Sequence, residues 1–215
     1  MTSKKKSLAG SRLYLILDKG VCGTRPLSEV LKKALAGGVD IVQWRDKISN
    51  AARAVKEARA LLAICRRRNI PFIINDRLDV ALAIMPDGIH LGQGDLKVST
   101  ARMIFGNDIL IGLSCQKRKH ITSTLREKID YYGFGPVFPT KTKKAGSPLG
   151  ANAYKQAANA TSRPVFAIGG INTENLEKFA GKKTRIAVSR EICRAKNIPE
   201  STRLLKQNLM RNQYV

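Results

Sequence analysis

Eight short β-rich runs alternating with eight helical patterns, a length of 215 residues, and the lack of a GxGxxG after the first run together predict the fold. The class is α/β, and the architecture is a single-domain (β/α)8 TIM barrel in a lean form without insertions. A doubly wound open sheet is the competing arrangement. It lacks its phosphate fingerprint here, and eight strand–helix units close more naturally than they stay open.

The first run is LYLIL (13–17), preceded by a basic tail at 1–12, so the barrel domain is read as 13–215. LSEVLKKALAGG (27–38) follows, with Leu27, Val30, Leu31, Ala34 and Leu35 on one stripe and glycine as its stop. The second strand is IVQW (41–44), and the second helix, NAARAVKEARALLAICRRR (50–68), takes Asn50 as its N-cap. FIIN (72–75), GIHL (88–91) and ILIGL (109–113) are strands three to five, separated by RLDVALAIM and STARMIF and followed by ITSTLREK. DYYGFG (130–135), PVFAIG (164–169) and RIAVS (185–189) complete the eight. Their helices are NAYKQAANA, TENLEKFAG (with Thr173 at its start) and ESTRLLKQNLM.

Charge is the unusual feature, with 39 Lys and Arg against 16 Asp and Glu, a net +23. The basic clusters at 4–6, 66–68, 117–119 and 182–183 are dispersed and lack interleaved aromatics. They match no nucleic-acid motif, so specific nucleic-acid binding is not expected, only salt-sensitive attraction to polyanions. No apolar run reaches the ~18 residues of a membrane span. Arg12 and Asp18 leave too short an apolar stretch for a signal peptide. Cys22, Cys65, Cys115 and Cys193 form no CxxC pair, which suits a reduced, cytoplasmic chain.

A barrel draws its active site from the C-terminal ends of its strands and the loops after them. Gln43, Arg45 and Lys47 share one face after strand two if the segment stays extended, and Arg45 with Lys47 makes a phosphate clamp. Asp76 and Asp95 follow strands three and four. Taken alone, each reads equally well as a helix cap. Because those strands are neighbours, the pair suits a Mg2+ ion that keeps waters and reaches substrate phosphate. The stretch Thr140–Lys141–Thr142–Lys143 begins a loop long enough to fold over a ligand, and Gly169–Gly170 with Ser189 offers a phosphate cradle. His90 is expected to pack in the barrel rather than act as a base. Cys115 has no suitably placed histidine, so a thiol nucleophile is not expected.

VQWRDK (42–47), INDRLDVAL (74–82), DGIHLGQGDL (87–96), GLSC (112–115), YYGFGPVFPTKTK (131–143) and FAIGGI (166–171) resemble, in this order, the thiamine-phosphate synthase family and its TenI-like tautomerase relatives. The resemblance runs from Leu13 to about Cys193. It implies a Mg2+-dependent transferase that joins hydroxymethylpyrimidine diphosphate to thiazole phosphate, or its carboxylated form, and releases pyrophosphate. Gln43, Trp44, Arg45, Asp46 and Lys47 with Asn75 and Lys143 would bind the diphosphate substrate, and Ser114 would contact the pyrimidine near the reacting centre. Ser114, Lys143 and Arg45 would be the catalytic group. Thr140, Lys141, Thr142, Gly170, Val188 and Ser189 would hold the thiazole phosphate, and Asp76 and Asp95 the metal. Two departures stand out, the lead-in Ala180–Arg185 to the last strand and Arg190 where a small residue is usual.

The competing functions are a cofactor-free thiazole phosphate tautomerase, using His120 or Lys143 as acid–base group, and a non-catalytic polyanion binder. The rim cations and acids favour the synthase. Its expected partners are small phosphorylated molecules, with no specific nucleic acid and no membrane; a homodimer is compatible with the sequence.

Overall fold

In the computed structural model, residues 3–140, 147–179 and 184–211 are described. Eight parallel strands close into a barrel in sequence order: β1 (Leu13–Asp18), β2 (Ile41–Arg45), β3 (Phe72–Asn75), β4 (Gly88–Leu91), β5 (Leu110–Cys115), β6 (Tyr131–Phe134), β7 (Val165–Ile168) and β8 (Ile186–Val188). Closure is the pairing of β8 with β1, where Leu13, Tyr14 and Leu15 lie opposite Ile186, Ala187 and Val188.

Strand alternation sorts the apolar side chains into two cores. Leu13, Leu15, Leu17, Val42, Trp44 and Phe72 pack outward against the helices. Tyr14, Ile16, Ile41, Ile73, Leu110, Tyr131 and Phe166 fill the barrel. The helical layer holds α3 (Leu27–Ala36), α4 (Ala51–Arg66), α5 (Leu78–Ile84), α6 (Val98–Phe105), α8 (Gly150–Asn159) and α10 (Ile198–Arg211), with α7 (Arg118–Thr122) a short turn. Asn50 caps α4 as expected, its side-chain oxygen accepting the Arg53 N–H at 3.0 Å.

Three stretches differ from the sequence-based expectation. The basic segment read as a tail is a helix, α1 (Ser3–Gly10). Its Leu8 enters the inner core and closes the strand N-terminal end. The helix expected over 121–128 stops at Thr122, because the Arg163 guanidinium takes the carbonyls of Leu125 and Glu127 at 3.0 and 2.8 Å. The seventh helical slot is a 3-10 turn at Leu176–Phe179, started by reciprocal bonds between Asn172 and Asn175 rather than by Thr173. Two one-turn helices, α2 (Lys19–Cys22) and α9 (Arg190–Cys193), follow β1 and β8 directly and help to shape the rim.

Candidate active site

A cavity of about 370 Å3 opens at the C-terminal end of the barrel. Every strand contributes to its wall, including Tyr14, Gln43, Asn75, His90, Ser114, Gly133, Phe166 and Ala187. Ligand sites in this fold lie at that end.

The period of two in β2 decides which of its residues face the cavity. Gln43 and Arg45 do, as predicted. Trp44 does not. It is fully buried in the outer core, with Nε1 donating to Glu57 at 3.3 Å, so its side chain does not reach the cavity. The Asp46 side chain is engaged within the protein. Its Oδ1 accepts the N–H groups of Ile48 and Ser49 at 2.7 and 2.9 Å, and Lys19 lies 3.4 Å from Oδ2. Burial pushes the Asp46 carboxyl up, but those donors and Lys19 prevail and hold it below the usual range. Asp46 shapes the loop after β2.

Arg45 pairs with Asp18, a carboxylate the sequence reading missed. Asp18 ends β1 on the same face as Tyr14 and Ile16, lines the cavity, and also caps α2 through the Val21 N–H at 3.1 Å. Its signal was available in the sequence: an acid closing an apolar strand, the same pattern that drew attention to Asp76.

Asp76 and Asp95 do come together, beside the cavity and outside its wall. Neither is a helix cap. The cap positions of α5 and α6 are Arg77 and Lys97, and neither accepts or supplies a side-chain cap bond. Asp76 sits at φ +56°, a left-handed conformation uncommon outside glycine. Burial pushes the Asp76 carboxyl above the usual carboxylate range, and the facing Asp95 pushes it further. Lys47, 3.6 Å away, and Asn75 oppose the rise. Asp95 is held through Oδ2 by the Gly92 N–H at 2.6 Å. Two opposed carboxylates of hard oxygen donors, one in a strained backbone, fit a divalent cation. Among the described residues no cluster of three or more His, Cys, Asp or Glu gathers, here or elsewhere. Mg2+ needs none, since it binds through one or two carboxylates together with substrate phosphate.

Ser114 lines the cavity and its Oγ lies 2.9 Å from His90 Nε2. His90 is packed in the wall, as expected, but it is also wired to Tyr131 at 3.1 Å, a partner far away in sequence. Cys115 is buried, and burial pushes its thiol up to about 12. It stays a neutral thiol at neutral pH, in keeping with its exclusion as a nucleophile.

On the opposite wall stand Thr140, Gly170, Val188 and Ser189, together with Arg190. Ser189 Oγ is buried near the Cys193 thiol without a partner at ordinary hydrogen-bond distance. Gly170 has φ +63°, and a Cβ there would stand 2.2 Å from the Pro139 carbonyl. Its need for glycine therefore comes from packing against the loop after β6, not from room for a ligand. Lys141, Thr142 and Lys143, and the altered lead-in at 180–183, lie outside the described residues.

Fold and rim define a (β/α)8 barrel whose mouth gathers cations, hydroxyls and a carboxylate pair suited to phosphorylated ligands. The sequence model described as thiamine monophosphate synthase (TMP-TENI) matches residues 13–192, and the chain belongs to that family. It is 38% identical over 201 residues to the thiamine-phosphate synthase of Persephonella marina, covering 93% of this chain and 96% of the relative. With that of Halalkalibacterium halodurans it shares 43% over 190 residues, covering 87% and 90%. The solved thiamine phosphate pyrophosphorylase from Pyrococcus furiosus superposes with a TM-score of 0.85 at 28% identity, covering 97% of this chain and 98% of that one.

Proposed function

We propose that the chain is a thiamine-phosphate synthase, a transferase that joins hydroxymethylpyrimidine diphosphate to thiazole phosphate with release of pyrophosphate. The observation that carries this reading is the convergence of Arg45, Ser114 and the Asp76–Asp95 pair on one barrel mouth in a chain of this family.

Arg45 would receive the diphosphate by a planar fork of donors, and Lys47 would add a point charge from the rim. Asp76 and Asp95 are the residues that would hold Mg2+, which would supply charge neutralisation for the departing pyrophosphate. In the reaction the C–O bond to the diphosphate breaks and its electron pair leaves with pyrophosphate. The electron-rich aminopyrimidine stabilises the resulting cation. The thiazole nitrogen lone pair then forms the new C–N bond. No protein nucleophile enters this sequence, which suits a wall whose described cysteine, Cys115, is a neutral thiol.

Ser189 Oγ, buried and lacking a partner, and the backbone around Gly170 support a thiazole phosphate pocket on the β7–β8 side. Arg190 adds a cation at that wall, so the departure from the family's small residue strengthens an anion site. Lys141, Thr142 and Lys143, outside the described residues, keep their proposed roles.

A tautomerase would need an acid–base group in the cavity. His120, on α7, is not part of its wall. We also propose a cytoplasmic location, on the strength of four free, buried cysteines. No described helix is long and apolar enough to cross a membrane. The test is a product assay with both substrates, with and without Mg2+. Thiamine phosphate formed only when both substrates and the metal are present supports the reading, and its absence refutes it.

A further inference from the structure

Four hydrogen bonds cross the barrel interior in one line. Gln43 Nε2 donates to the Tyr14 hydroxyl at 2.9 Å, and Tyr14 and Tyr131 hydroxyls meet at 2.8 Å. Tyr131 meets His90 Nδ1 at 3.1 Å, and His90 Nε2 meets Ser114 Oγ at 2.9 Å. We propose that Tyr131, acting through His90, holds the Ser114 hydroxyl as a hydrogen-bond donor aimed into the cavity.

The number of protons available along the line fixes the direction of each bond. An amide nitrogen only donates, so the Tyr14 oxygen accepts from Gln43. Tyr14 has one proton, and the hydroxyl beside it is that of Tyr131. Tyr131 in turn has one proton, left for His90 Nδ1. Burial pushes both phenols well above their ordinary range, so neither link is lost to ionisation. A neutral imidazole that accepts at Nδ1 carries its proton on Nε2 and donates there. Ser114 Oγ is the acceptor. Its own hydrogen is then free to turn toward a ligand.

The backbone is built around this line. A Cβ on Gly112 would stand 2.1 Å from Tyr131 Cζ and 2.5 Å from His90 Nδ1, so any larger residue there would displace the joint between them. Tyr131 is also locked by edge-on contact with Phe166, ring centroids 5.8 Å apart. Tyr131, itself part of the cavity wall, is therefore a positioning residue that acts on Ser114 through its neighbour. This inference rests on the synthase reading only for what the Ser114 proton meets, a ring nitrogen or leaving-group oxygen of the pyrimidine substrate.

The test uses the full-length, ligand-free protein labelled with 15N at histidine. Only two histidines are present, and His120→Gln assigns the second signal. The expected spectrum shows His90 neutral with its proton on Nε2. Tyr131→Phe keeps the ring and should move part of that proton to Nδ1, lower kcat by about tenfold, the equivalent of one hydrogen bond, and leave KM for thiazole phosphate unchanged. Tyr14→Phe, one link further out, should shift the spectrum in the same direction by less, and serves if Tyr131→Phe does not fold. A wild-type His90 that is charged or carries its proton on Nδ1 overturns the proposal. So does a Tyr131→Phe protein with wild-type spectrum and kcat. If Ser114→Ala abolishes turnover while Tyr131→Phe behaves as wild type, the line of bonds fails and the synthase reading stands. If the wild type makes no thiamine phosphate, the synthase reading fails and the spectrum still decides the line of bonds.

Discussion

Asp18 and Arg45 are opposite one another on the last rung between β1 and β2, and their side chains form an ion pair inside the barrel mouth. The pair gives the predicted diphosphate clamp a resident counter-ion. A diphosphate bound at Arg45 would compete with Asp18 for the same guanidinium.

Removing the guanidinium therefore has two consequences. Arg45→Ala leaves Asp18 buried without its cation, which should cost about 2 kcal/mol of stability, less than for a fully buried pair because Arg45 is partly exposed. Turnover of the pyrimidine diphosphate should fall about tenfold or more, with thiazole phosphate binding little changed. Asp18→Asn keeps the cap on α2, since Asn caps about as well as Asp, and should tighten pyrophosphate binding in calorimetry. Weaker pyrophosphate binding to Asp18→Asn would show that the carboxylate orients Arg45 and does not compete with the anion.

The glycine at 170 makes a second test. Ala there meets the Pro139 carbonyl and must hold a positive φ, so Gly170→Ala should destabilise the fold by ~1–3 kcal/mol. Thiazole phosphate KM should rise with it, because the loop after β6 is displaced. A higher KM with an unchanged melting curve would return the residue to a direct role at the phosphate.

Cys65 and Cys115 are both pushed up to about 12 by burial, from an ordinary 9.0. Their folded pKa values exceed the unfolded ones, so the neutral thiols stabilise the fold fully below about pH 9 and lose that contribution as pH climbs toward 12. Stability should fall over that window, and Cys115→Ala should flatten the fall. Thiol reagents at pH 8 should leave the native chain unlabelled and modify it once denatured. Rapid labelling of Cys115 in the native protein would contradict its burial.

How much of this was legible beforehand depends on the range of the interaction. The eight-fold alternation, the Asn50 cap and the inward face of Gln43 and Arg45 follow from local periodicity, and the structure bears them out. The contiguous motif at 42–47 does not separate the two faces of the strand, and the period of two turns Trp44 away from the cavity. The inner bonds from Tyr14 to Tyr131 and from His90 to Ser114 join residues 117 and 24 positions apart, and no local pattern announces them. α1 escaped notice because its sequence is mostly basic, with Leu8 as its anchor in the inner core.

The central claim is that Asp76 and Asp95 serve a metal-assisted transfer of the pyrimidine group. The direct measurement is a Mg2+ titration of thiamine phosphate formation for the wild type, Asp76→Asn and Asp95→Asn. Asn keeps the shape and removes one charge from the pair. The account predicts rates lower by orders of magnitude in both variants, with partial recovery at high Mg2+ in at least one. Three superimposable curves would contradict it.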